Sequence, residues 1–252
     1  MAKIPRSFVS HQTAALIHGI SLPQYVDLEI PWISRERGSR ALRVAGIRSC
    51  SVKHVELDTA VIDGTLTSTP ARLFLEMARE LSHEDLVALG DQIVRVPRKR
   101  YEGRSEPFAT RGDLHEMLLA HPRSPGKPPA LRAFRLVRVG ADSVPETRMR
   151  LAIVAHGLPE PHLQVLLDPQ EPDSWSADLG YPDLKIALQY DGDPHLDPDR
   201  QYRDNVRDSA FSSAGWIVIK ANRRDLANGF VRIRAELRNA FATRGVSLAQ
   251  AA

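Results

Sequence analysis

Asp178, Gln189, Asp191, Asp193 and His195 all fall within one short stretch, ADLGYPDLKIALQYDGDPH, at residues 177–195. Side chains alternate along a strand, so Gln189 and Asp191 share one face of theirs. Asp178 lies on the preceding strand of the same hairpin, where it can sit across from that face. Two or three oxygen donors meeting at a strand end suit Mg²⁺. That ion is held through one or two carboxylates and leaves room for phosphate oxygens. Metal-dependent phosphodiester cleavage uses such an arrangement, because a cation activates water and stabilises charge building on the phosphate. The same residues have an ordinary reading too. Asp in PDL and in DGDP is turn chemistry, and both Asp191-Gly192 and Asp193-Pro194 can punctuate a loop with no ligand present.

The elements that must position these residues can be read around them. PETRMRLAIVAHG is helix-like and stops at Gly157, and LQVLLD is a strand. SADLGY and KIALQYD form a hairpin across Pro182-Asp183. Asp199 to Ala214 reads as a helix with Tyr202, Val206 and Ala210 on one face and Gly215 as its stop. WIVIKA is a continuous apolar strand of the buried kind, and GFVRIRAELRNAFATRG is a closing amphipathic helix. The order α-β-β-β-α-β-α predicts an α/β domain with a mixed sheet covered by helices.

The first half reads as a smaller α+β module over 1–96. Ser10 caps a helix ending at Gly19, YVDLEIPW alternates like a strand, and RVAGIRSCSVKHVEL reads as β. Asp63-Gly64 sits in a hairpin, Thr69-Pro70 opens a helix, and Ser82 opens the next with Asp85 at the capping-box position. Residues 97–130 read as a basic, Pro/Gly-rich connector with one short helix, GDLHEMLLAH, and the second domain is expected over 131–252.

Taken together, ADLGYPDLKIALQYDGDPH and YRDNVRDSAFSSAGWIVIKA resemble the very-short-patch-repair-like (Vsr-like) endonuclease domains of the PD-(D/E)XK superfamily, closest to their actinobacterial members. The resemblance spans about residues 132–245 and implies a restriction-endonuclease-like fold and a Mg²⁺ (or Mn²⁺) site. It implies catalytic roles for Glu146, Asp178, Gln189, Asp191 and His195. Asp178 and Gln189 are the implied metal ligands, and His195 is the proton-transfer group. Arg203 and Asp204 are implied as supporting residues, and Gly215-Trp216 completes the pattern. Glu146 in this scheme touches the metal through water, or instead pairs with Arg148 or Arg150. Gln189 departs from the Glu usual in this branch and offers a neutral amide oxygen. Asp191 stands where many PD-(D/E)XK proteins carry a lysine, as it does in the Vsr-like branch.

SHQTAALIHGI, VDLEIP and LTSTPARLFLEMARELSHEDLVALGDQI resemble AbiEi-like antitoxin and regulator proteins without the winged helix that usually precedes this segment. A protein partner in a toxin–antitoxin-like system is implied.

Bulk properties set limits. The net charge of +3 and the pI near 9.2 are compatible with a polyanionic partner, here DNA. Arg98-Lys99-Arg100 and Arg223-Arg224 are the candidate phosphate contacts, and Arg232, Arg234 and Arg238 form a third basic group. The single Cys50 excludes an intrachain disulfide and any zinc site built from several cysteines. No apolar run suits a bilayer, so a cytoplasmic protein without membrane contact is expected. His11 and His18 read as structural and Cys50 as inert. Two rivals to a Mg²⁺-dependent endonuclease stay open: a non-catalytic nucleic-acid-binding or antitoxin-like regulator, and a protein-interaction module.

Overall fold

The computed structural model describes residues 7–39, 44–53, 55–98, 102–171, 173–192 and 198–247. It divides into two compact units, Met1–Val139 and Gly140–Ala252, each built on its own mixed sheet flanked by helices. The chain is therefore α/β, as its element order predicts.

In the first unit β1 (Ser7–Val9), β2 (Trp32–Glu36), β3 (Arg48–Val52), β4 (Thr59–Ile62) and β5 (Thr65–Ser68) form a sheet in the order β3-β2-β1-β5-β4. Helix α1 (His11–His18) ends at Gly19, whose φ of 68° supplies the left-handed stop expected of glycine. The short helix α2 (Val55–Asp58) precedes the β4–β5 hairpin, where Asp63 and Gly64 both take positive φ. Thr69 caps α3 (Pro70–Met77) by accepting from Arg72 N–H, and Ser82 caps α4 (His83–Val94) through Asp85 N–H. The strand expected over YVDLEIPW begins only at Trp32. Gln12 in α1 donates to the carbonyls of Asp27 and Ile30, so this segment's backbone is satisfied by a side chain rather than by a ladder.

The stretch expected to be a connector carries two helices, α5 (Arg111–Ala120) and α6 (Lys127–Phe134). Thr110 and Asp113 close a reciprocal capping box at the start of α5. Gly126, just before α6, comes so close to α3 that a Cβ there would lie 2.5 Å from the Leu75 carbonyl oxygen. The division between units thus falls after Val139 rather than near 130.

In the second unit β6 (His162–Leu166), β7 (Ser176–Tyr181), β8 (Ile186–Tyr190) and β9 (Ile217–Ala221) lie in chain order. The first three are antiparallel, while β8 and β9 run parallel and are joined through α8 (Pro198–Ser213). Helices α7 (Val144–Ala155), α9 (Arg223–Ala227) and α10 (Val231–Thr243) complete it. Alternation on β8 sends Ile186 and Leu188 into a core with Met149 and Ile153 of α7 and Leu237 and Phe241 of α10. Ala187 joins the opposite layer with Val165 and Phe211 of α8. Gln189 shares that second face. Among the described residues, no helix is long and apolar enough to cross a membrane.

Candidate metal and nucleic-acid site

The β7–β8 hairpin holds the site's first two side chains. A Cβ on Gly180 would sit 2.6 Å from the Ile186 carbonyl oxygen, so the two strands approach as only glycine allows. The antiparallel pairing of β7 and β8 runs from Tyr181–Ile186 to Leu179–Leu188, and Asp178 and Gln189 are the next residue beyond it on each strand. Asp178 Oδ2 accepts the Tyr190 N–H at 2.7 Å, which ties this carboxylate to the end of β8.

Gln189 is fully buried, and among the described residues neither its Oε1 nor its Nε2 has a hydrogen-bond partner. An unsatisfied buried polar group costs about 1–3 kcal/mol. A strand interior does not carry that cost for packing alone, since Leu would fill the same space. An amide oxygen left without a donor in this way is what a hard cation would take up.

Glu146 approaches from α7. Ser143 is the N-cap of that helix and accepts from Glu146 N–H, while its own hydroxyl donates to Glu146 Oε1 at 2.7 Å. The Asp142 N–H donates to Glu146 Oε2 at 2.9 Å. Glu146 is only 6% exposed. Burial first, and then the nearby Asp178 carboxylate, push its pKa up to about 8 despite these donors. Arg150 pairs instead with Glu160 at 2.9 Å, so Glu146 is held by a hydroxyl and a backbone amide rather than by an arginine. A divalent cation would relieve the repulsion between the Glu146 and Asp178 carboxylates. Among the described residues, no group of three or more His, Cys, Asp or Glu side chains is placed to hold a metal ion.

Asp191 extends the site at the end of β8. Its N–H reaches the Ala221 carbonyl at 2.8 Å, and its Oδ2 lies 3.0 Å from Lys220 Nζ. Lys220 also meets Asp208 Oδ2 at 2.7 Å. Burial disfavours the Lys220 charge, but hydrogen bonds to Asp208 and Asp191 outweigh it and raise its pKa. Sequence reading passed over both Lys220 and Asp208. The signal was alternation: Val218 and Lys220 share a face of β9, and a parallel register aligns Lys220 with Gln189. Nothing local to WIVIKA fixes that register.

Asp204 pairs with Arg207 at 3.2 Å, and Arg207 continues to Asp208 at 3.4 Å, so this supporting residue joins a charge chain along α8. Arg203 is exposed on the same helix. Trp216 packs edge-on against Phe211 at 5.1 Å, in the core. Arg98 is exposed in the first unit, and Arg223 and Arg224 are exposed at the start of α9 in the second. Arg232 is engaged by Asp225 and Glu236, and Arg234 is mostly buried, so the third basic group presents no continuous cationic row. His195, Asp193, Lys99 and Arg100 lie outside the described residues.

Buried polar residues of the first unit form an interior network of hydrogen bonds and ion pairs. Glu76 accepts from His11 N–H, Ser68 hydroxyl and Arg72 Nε, and Asp58 meets both Arg72 and His121. His11 stacks on Trp32 at 3.8 Å, with its pKa lowered mainly by burial. His18 Nε2 lies 2.7 Å from the Ser68 carbonyl oxygen. Burial raises the Cys50 thiol pKa, which disfavours the reactive thiolate.

No family model matches the chain, and no solved structure matches it. Two curated proteins of Mycobacterium tuberculosis are similar to it: uncharacterized protein Rv2248 of strain H37Rv and uncharacterized protein MT2308 of strain CDC 1551 / Oshkosh. Each is 26% identical over 159 residues, covering 63% of this chain and 55% of the relative. The chain thus spans little more than half the length of these relatives.

Proposed function

We propose that this protein is a Mg²⁺- or Mn²⁺-dependent DNA endonuclease of the Vsr-like type, with a restriction-endonuclease-like second unit and a cytoplasmic place of action. The observation that carries this reading is the buried Gln189 amide, without a hydrogen-bond partner among the described residues, at the end of the hairpin that also carries Asp178, whose carboxylate acts on Glu146. Asp178 and Gln189 would hold the cation. When bound, the cation supplies Lewis-acid polarisation of the phosphate and charge neutralisation. Glu146, fixed by Ser143 and the Asp142 N–H, would support the cation's water shell. The water oxygen would bond to phosphorus as its proton passes to solvent, the bond to the leaving oxygen would break, and His195 would transfer a proton to that oxygen. Arg203 with Asp204 would support the site, and Arg98, Lys99, Arg100, Arg223 and Arg224 would meet the phosphate backbone.

A second reading is favoured by one specific observation. The Glu146 carboxylate is already saturated by its own helix start, as in a purely structural cap. In that reading the protein is a non-catalytic nucleic-acid-binding or antitoxin-like regulator with a protein partner.

Calorimetric Mn²⁺ titration and nicking of supercoiled plasmid separate the two. Wild type is expected to bind and nick, Asp178→Ala to do neither, and Gln189→Glu to gain about 5- to 150-fold in metal affinity from the added charge. Metal binding and nicking unaffected by Asp178→Ala, or absent throughout, would establish the regulator.

A further inference from the structure

We propose that Lys220 is a phosphate-contacting residue of this site, supplied by the strand next to the one that carries Gln189; the inference rests on the nuclease reading above. Three observations place it there. Strands β8 and β9 run parallel with Gln189 and Lys220 as direct partners, so both side chains rise from the same face on adjacent strands. Lys220 Nζ is pinned between Asp191 Oδ2 at 3.0 Å and Asp208 Oδ2 at 2.7 Å, which fixes an otherwise mobile side chain beside the proposed cation ligands. The Lys220 side chain remains 41% exposed, so the pinned ammonium is open to solvent and to a substrate.

An ammonium has three donor hydrogens. Two are directed to Asp191 and Asp208, its partners among the described residues, and the third is available. A phosphodiester brought to Asp178 and Gln189 carries two nonbridging oxygens, one for the cation and one for this donor. The charge that develops on those oxygens during attack would then meet a donor already in place, which is where preorganised electrostatics has most effect. Asp191 acquires a role that its position alone does not explain: it is a positioning residue for Lys220, with Asp208 as its counterpart on α8.

The test uses the full chain and compares wild type, Lys220→Met and Lys220→Arg by Mn²⁺ calorimetry, plasmid nicking and thermal unfolding. Lys220→Met is expected to bind Mn²⁺ as tightly as wild type or more tightly, since a nearby positive charge is gone. Its nicking is expected to fall about 100-fold, the scale of losing one donor to a developing oxyanion. Lys220→Arg is expected to recover a substantial part of the lost rate. Wild-type nicking by a folded Lys220→Met overturns the proposal and leaves the nuclease reading standing. Joint loss of Mn²⁺ binding and nicking in Lys220→Met, unrescued by Lys220→Arg, also overturns it, because Lys220 is then scaffolding. Wild type that neither binds Mn²⁺ nor nicks overturns the nuclease reading and this proposal with it. If Lys220→Met does not fold, Lys220→Gln takes its place with the same expected outcomes, because it keeps a polar stem without the charge.

Discussion

Glu146 shows how one side chain is made costly by its surroundings. Burial and the Asp178 carboxylate favour its protonated form, with a pKa near 8 against an ordinary value of 4.5. The linkage has a definite sign. Between about pH 4.5 and 8 the unfolded chain has released this proton while the folded protein keeps it, so stability declines as pH rises through that window. Glu146→Gln removes the decline. The variant is expected to be more stable than wild type at pH 8 by an amount on the order of a few kcal/mol, with little difference at pH 4.5 or below. Urea denaturation at the two pH values measures this directly, and equal differences at both would contradict the assigned strain. The residue type at 146 was legible as a candidate through its family resemblance. Its burial was not, because a glutamate three residues past a serine reads first as a helix cap.

The β7–β8 hairpin is the element on which the site depends. Its turn and its two strands could be read from alternation around Pro182-Asp183, and the observed register pairs Leu179 with Leu188, just inside Asp178 and Gln189. Gly180 permits the close approach between the strands. Gly180→Ala would force the new methyl against the Ile186 carbonyl, which is backbone and cannot rotate away. The expected cost is about 1–3 kcal/mol, by analogy with overpacked cores. Mn²⁺ affinity is expected to weaken too, as the strands move apart. Thermal unfolding and calorimetry test both parts, and a variant with unchanged stability would show that the strands have slack. Helix α6 escaped sequence reading for a physical reason. Pro128 and Pro129 look like linker residues, but proline is tolerated in a helix's first turn, where amide donors are unpaired anyway. The apolar residues left to identify the helix were only Ala130, Leu131, Ala133 and Phe134.

At the scale of the whole molecule, the second unit closes its own core. Met149, Leu179, Leu188, Ile219, Phe230, Leu237 and Phe241 form one buried cluster, and all of them lie within residues 140–252. That fragment is expected to fold alone and to unfold in a single cooperative thermal transition. A non-cooperative melt, or binding of a hydrophobic dye by the isolated fragment, would mean that its core is incomplete.

The sequence by itself determined the element order of the second unit apart from α9, the Thr69 and Ser82 caps, and the hairpin. Those features depend on local chemistry: an N-cap hydroxyl, a glycine at positive φ, or a period of two in a strand. It also placed Asp178 and Gln189 on the two strands of one hairpin, because that pairing is local. Tertiary structure alone decided the rest. It set the parallel register that brings Lys220 beside Gln189, the burial that strains Glu146, and the approach of α6 to α3 that extends the first unit to Val139. Each of these joins segments far apart in the chain, and their alignment follows from which faces can be buried together rather than from any residue's own preference.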